Sequence, residues 1–285
     1  MAESNDVGFV YYRYTPSLVA AVIFSACFFI VSFIHVWKII RTKTWYFIPM
    51  LIGSLMEALG YIGRAQSHSQ PRTLGPYILQ SLLLLIAPAL FAASIYMILG
   101  RLILVLSASH HSPIPIRWLT KLFVLGDVIS FMMQSAGGGI MASGTLESMK
   151  KGEKIVIGGL FVQVLFFAVF VVVAIVFNVR INKEPTVESS TIQRGGRNGW
   201  GTLLNTLYWA SGAILVRSVF RVVEYVQGNN GYLMRNEAWL YVFDGVLMLG
   251  VIAVFCWVHP SGAVPGDVKK RTKRGGYNDV EMRGN

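Results

Sequence analysis

Seven stretches of this sequence stay apolar for about twenty residues or longer, the length a helix needs to cross the hydrocarbon core of a bilayer. They lie near residues 17–37, 45–63, 76–100, 118–142, 155–178, 202–225 and 238–258. A segment surrounded by lipid has to satisfy its own backbone, and unbroken apolar runs without strict alternation do so as helices. The expectation is an all-α integral membrane protein. It is a seven-transmembrane helix bundle over residues 17–258, preceded by a short outer segment, 1–16, and followed by a basic tail, 259–285, that reads as disordered. With 54% hydrophobic and 14% charged residues, the composition excludes an ordinary soluble domain, where charged residues make up about 25%.

The third run continues apolar beyond residue 100 to Leu106, which predicts a helix that tilts or projects from the bilayer. Pro88 lies at its middle. It has no N–H to give the carbonyl four residues back, so it should kink the helix, which membrane helices tolerate when neighbours satisfy the freed carbonyl.

Orientation follows from the connections, since cytoplasmic loops are rich in Lys and Arg. One side collects Arg13, Arg64, Arg72, Lys150, Lys151, Lys154 and Arg235, seven in all; the other collects sixteen, including the cluster Lys269 to Arg274. The richer side is expected to be cytoplasmic, which places the N-terminus outside and the C-terminus inside. The net charge of +11 is thereby accounted for by topology, and no nucleic-acid partner is expected. The run Lys269 to Arg274 could also attract anionic lipid headgroups. Ile181 to Gly199, rich in Ser, Thr, Gly and Arg, reads as a flexible cytoplasmic loop. Cys27 and Cys256 lie inside apolar runs and behave as small hydrophobes, so no disulfide framework is expected. Glu3 and Asp6 stand where a cleavable signal would be basic, so the first helix is read as its own insertion signal.

Against this apolar background the ionisable residues stand out. Glu57 is too deep and too short to reach an interface, whereas Arg64, two turns on, lies near the helix end and can snorkel. Tyr61 shares the Glu57 stripe at i+4. Asp127, Ser130 and Gln134 recur at i, i+3 and i+7, followed by Gly137, Gly138 and Gly139, where backbones or a ligand could come close. The sixth helix carries Arg217, Arg221 and Glu224 at i, i+4 and i+7; the seventh carries Asp244, and Gln80 lies at the start of the third. A lone charge at mid-bilayer costs at least about 2.5–3.5 kcal/mol on insertion scales, so these groups are expected to converge. Two readings stay open. They line one polar chamber for an amphipathic small molecule, or they form buried ion pairs that only fix helix packing.

Trp45, Tyr46, Tyr77, Trp118, Trp239 and Tyr241 near helix ends read as interface anchors, and His35 as a polar packing residue. The seventh helix contains no lysine for a Schiff base. No pair of histidines is placed to hold a haem, and the sequence has no P-loop, metal-ligand spacing or nucleophile elbow. No cofactor and no enzymatic chemistry are therefore expected.

The blocks Glu57-Ala-Leu-Gly-Tyr-Ile-Gly-Arg64, Leu74-Gly-Pro-Tyr-Ile-Leu-Gln80, Ala87-Pro-Ala-Leu-Phe-Ala-Ala-Ser-Ile-Tyr96, Gly126-Asp127 to Gly139, and Arg217-Ser-Val-Phe-Arg221-Val-Val-Glu-Tyr225 with Glu237 and Asp244 resemble the fungal aminocholesterol-resistance-like membrane proteins, the lipid-translocating exporter family. The resemblance covers about residues 11 to 260. It implies a seven-helix plasma-membrane protein linked to resistance against toxic amphiphiles, to export or flipping of sphingoid long-chain bases, and in some relatives to porphyrin traffic. The leading expectation is a transporter or translocase of amphipathic lipids that is not driven by ATP. In it Glu57, Asp127 and Asp244 would receive an amine headgroup, and Arg217 and Arg221 would balance them. The competing expectation is a lipid or stress receptor signalling through its basic loops. Replacing Glu57 by Gln should impair function more than stability if Glu57 lines a hydrated interior.

Overall fold

The computed structural model describes residues 16–69, 73–141, 145–227 and 231–264. They form helices and turns, with no strand among the described residues. The long helices are α1 (Leu18–Thr42), α2 (Ile48–Ser69, entered through a 3-10 turn at Trp45–Phe47), α3 (Leu74–Val105), α4 (Ile116–Met141), α5 (Leu146–Lys183) and α6 (Trp200–Val226). A final segment, α7, joins Glu237–Leu240, a π-helical stretch at Tyr241–Val246 and Leu247–Trp257. Among the described residues, six helices are long and apolar enough to cross a membrane; α4, which carries Asp127, Gln134 and three consecutive glycines, is not one of them.

Local chemistry starts and stops these helices. The Ser17 and Thr145 side chains accept from the backbone N–H groups three residues on, which opens α1 and α5. Lys43 turns the chain out of α1 in the left-handed region, at φ 55°. At about 1.5 Å per residue the 38 residues of α5 span about 57 Å, well beyond the hydrocarbon core. The surplus turns carry Glu147, Lys150, Lys151 and Lys154 at one end and Arg180 and Lys183 at the other. The expected segment 155–178 is the apolar middle of this longer helix.

Large apolar side chains face outward all around the bundle, among them Val19 at 69% exposure, Phe33 at 75% and Leu165 at 62%. A surface of that kind belongs in lipid, not in water. Inside lipid the helices gain little from hydrophobicity when they meet, so close approach has to come from small residues. The antiparallel α4–α5 pair is built in this way. A Cβ on Gly137 would lie 2.7 Å from the Gly152 carbonyl oxygen, and one on Gly126 would lie 2.5 Å from the Phe166 ring. An aromatic cluster of Tyr96, Phe123, Phe167 and Phe170 fills the space between α3, α4 and α5.

The connection from Ile181 to Gly199, expected as a flexible loop, is ordered and packed. α5 runs on to Lys183, and a short helix at Val187–Thr191 is capped by Thr186, whose hydroxyl donates to the Leu106 carbonyl at 2.7 Å. The Trp200 indole donates to Ser189 O, and Arg194 donates to Asn182 Oδ1. The chain stays packed as far as Val264, whose carbonyl accepts from the Tyr46 hydroxyl at 2.8 Å. The expected outer segment up to Thr15, Arg72, and the basic run from Lys269 to Arg274 lie outside the described residues.

Candidate functional site

The proline in α3 sets up the centre of the bundle. Pro88 leaves the Leu84 carbonyl without its helical donor, and Arg217 of α6 supplies the replacement through Nη2 at 2.6 Å. The same guanidinium forms a buried ion pair through Nε with Asp244, which sits on the π-helical stretch of α7. The carbonyl that Pro88 frees is thus satisfied by a side chain that also neutralises a carboxylate.

One turn further along α6, Arg221 donates to Glu224 at 2.7 Å and stacks over the Tyr225 ring. Arg221 and Tyr225 form one wall of a cavity of about 280 Å³ between α3, α4, α5 and α6. Tyr77, Ser81 and Leu85 line it from α3, Gln134, Ser135 and Gly138 from α4, and Val156 from α5. Arg221 Nε at this wall has no hydrogen-bond partner among the described residues. The cavity lies toward the start of α3 and α5 and the end of α4 and α6, at the end of the bundle with the less basic connections.

The polar stripe on α4 points inward, as its spacing predicts. Asp127 accepts from the Tyr96 hydroxyl at 3.1 Å, and the Ser130 hydroxyl donates to Gly159 O at 2.7 Å. Gln134 donates to both Ser130 Oγ and Gln163 Oε1. The three glycines after it divide their work. Gly137 is pressed against α5, whereas a Cβ on Gly138 or Gly139 would meet nothing within 4 Å, and both residues line the cavity.

The expectation of a single chamber is corrected. Of the nine residues singled out, Gln134 and Arg221 line the cavity, with Glu224 holding Arg221. Glu57, Tyr61, Arg217 and Asp244 gather instead where α2, α6 and α7 meet. Asp127 is taken up by Tyr96, and Gln80 is buried at the α2–α3 contact. The division follows helix order: α2 and α7 lie on one side of α3 and α6, while α4 and α5 lie on the other.

Arg64 does not snorkel. It is fully buried and bridges to Glu237 at 2.8 Å, and its Nε also donates to the Tyr241 hydroxyl. Glu237 in turn accepts from the Ser17 backbone N–H at 2.8 Å, tying the starts of α1 and α7 to the end of α2. Tyr241 and Tyr46 are therefore core residues and Tyr77 a cavity residue, while Trp45 and Trp118 are exposed as interface anchors should be. His35 is buried, with Nε2 3.0 Å from the Ile252 carbonyl, which fixes that nitrogen as the donor. Sequence reasoning missed Ser81, Ser135, Val156 and Tyr225 in the cavity, because a wall built from four helices depends on which helices are neighbours.

A lipid-exposed helical surface around paired interior charges and a partly polar cavity defines an α-helical integral membrane protein. No solved structure matches the chain. The chain belongs to the RTA1-like family, whose model, described as RTA1 like protein, matches residues 50–267. Protoporphyrin uptake protein 1 of Saccharomyces cerevisiae is 39% identical over 288 residues, covering 89% of this chain and 93% of the relative. Protein RTA1 of the same yeast is 34% identical, covering 89% and 86%. The sphingoid long-chain base transporter RSB1, also from Saccharomyces cerevisiae, is 27% identical, covering 82% and 69%.

Proposed function

We propose that this protein moves amphipathic lipids of the sphingoid long-chain base type through the plasma membrane, as a transporter or translocase and not as an enzyme. The observation that carries this reading is the cavity of about 280 Å³, where a mostly apolar wall meets Arg221, Gln134 and Ser135. Small-molecule sites have this character, apolar over most of their surface with a few polar groups that fix orientation. A sphingoid base is an amino alcohol on a long chain. Its hydroxyls can accept from Arg221 Nε and donate to Gln134 Oε1, both without a partner among the described residues, and its chain can lie along Ile78, Leu82 and Leu85.

In this reading α4 is the seventh span. Trp118, Leu122, Leu125, Ile129 and Met132 make an exposed apolar stripe along it, opposite Asp127, Ser130 and Gln134. Seven spans, with the basic connections inside, put the N-terminus outside and the tail in the cytoplasm.

The test is release of fluorescent sphingoid bases from vesicles containing only this protein, with protoporphyrin run beside them because a relative carries that name. Movement of the sphingoid base, lowered at least about tenfold by Arg221→Ala, is the expected outcome. A folded protein that moves neither compound would refute the reading. A cytoplasmic effector that binds and releases with lipid would favour a receptor instead.

A further inference from the structure

Among the described residues, the interior carboxylates other than Glu57 each have a donor. Asp244 accepts from Arg217, Glu224 from Arg221, Glu237 from Arg64 and Ser17, and Asp127 from the Tyr96 hydroxyl. Glu57 has none: it is fully buried, and neither of its oxygens has a hydrogen-bond partner. The cations in its electrostatic reach are Arg217 and Arg221, both already engaged, and the nearby anion is Asp244. Glu57 and Asp244 against Arg217 leave one negative charge in excess, since Arg221 and Glu224 cancel. Packing alone gives no reason for this, because a glutamine or a leucine would fill the place without an unbalanced charge.

Further unsatisfied atoms lie close by. Among the described residues the Tyr61 hydroxyl, on the Glu57 stripe and fully buried, has no partner, nor has Asp244 Oδ2. That hydroxyl stands 2.7 Å from where a Cβ on Gly245 would be, which places it against the residue next to Asp244. Asp244 and Gly245 belong to the π-helical stretch of α7, a local widening of the helix that recurs at functional sites. The rings facing Tyr61 are Phe24 and Phe28 of α1 and Tyr241 of α7, and the cation that acts on it, Arg64, is already neutralised by Glu237.

We propose that Glu57, Tyr61 and Asp244 form a binding site for one exchangeable monovalent cation, a proton or a sodium ion. Its single positive charge supplies what the neighbouring arginines cannot. Three oxygen-bearing side chains from two helices converge on it, while the fixed charge of Arg217 beside Asp244 keeps the site unsuited to a divalent ion. Its use as the coupling ion rests on the transport reading, because the sequence offers no nucleotide-binding loop to drive movement.

The test uses the full chain in lipid vesicles, read by infrared difference spectroscopy and by radioactive sodium binding. In one arm pH is stepped without sodium; in the other, sodium is added at fixed pH. A proton site gives a carboxylic-acid carbonyl band that rises and falls with pH, is lost in Glu57→Gln and remains in Asp127→Asn. A sodium site gives binding of one ion per chain that Glu57→Gln abolishes. Tyr61→Phe, which removes only a hydroxyl and guards against misfolding of the first variant, should weaken either signal's midpoint about tenfold. No Glu57-dependent band and no sodium binding in the unmodified protein would overturn the site. Cation binding without lipid movement would sink the transport reading and leave the site standing. Lipid movement without either signal would do the reverse.

Discussion

Arg217 can be tested as the group that makes Pro88 tolerable in α3. Replacing it by Gln removes the charge opposite Asp244 and loosens the bond to the Leu84 carbonyl, both in the buried interior. Breaking one partner of a buried ion pair costs about 3–5 kcal/mol, mostly from the charge left behind. The orphaned carbonyl adds about 1–3 kcal/mol. For a chain of this length a loss of that size lowers the melting temperature by on the order of 10 °C, measurable by fluorescence-detected unfolding in mild detergent. The sharper measurement is a double-mutant cycle with Pro88→Ala. Alanine restores the N–H that Leu84 O lacks, so in that background Arg217→Gln loses the ion pair but strands no carbonyl. Its cost should fall by about 1 kcal/mol or more relative to the Pro88 background. Equal costs in the two backgrounds would refute the claim that the arginine replaces the missing helical bond, whatever the total.

The glycines of α4 give a contrast within three residues. Gly137→Ala meets the Gly152 carbonyl oxygen and Val156 at 2.7 Å and should cost about 1–3 kcal/mol of stability, whereas Gly138→Leu enters open space and should leave the melting temperature almost unchanged while lowering lipid movement. Tyr96→Phe removes the sole donor found for Asp127 among the described residues and should cost about 1–3 kcal/mol in detergent unfolding, an effect that Asp127→Asn in the same chain should relieve.

Features set by neighbours in the chain were the legible ones. The all-helical build, the inward stripe of Asp127, Ser130 and Gln134, and the need to satisfy the carbonyl before Pro88 all follow from helical periodicity or from the chemistry of one residue. Pairings between distant helices were not legible. Arg64 finds Glu237 173 residues away, and nothing in the spacing of α2 chooses that glutamate over Asp244. An arginine close to a helix end has two low-energy choices, reaching water or finding a carboxylate, and only the position of α7 decides between them. The connection from Ile181 to Gly199 misled for a related reason. Ser, Thr and Gly are loop formers in isolation, yet Thr186 caps a short helix that packs against the end of α3 and the start of α6.

The division of the polar residues into two groups also bears on how the bundle could work. Arg217 and Arg221 are one turn apart on α6, so a rigid α6 cannot shift at the cavity without shifting at Asp244. A lipid headgroup that draws Arg221 toward the cavity therefore acts on the same rod that holds Asp244 beside Glu57. Coupling of this kind is reciprocal. If a cation at Glu57 changes lipid affinity by some factor, lipid must change cation affinity by the same factor. A single helix carrying both arginines needs no longer chain of contacts to account for it, and the one ion pair and one carbonyl bond at Arg217 are where that coupling would be cut.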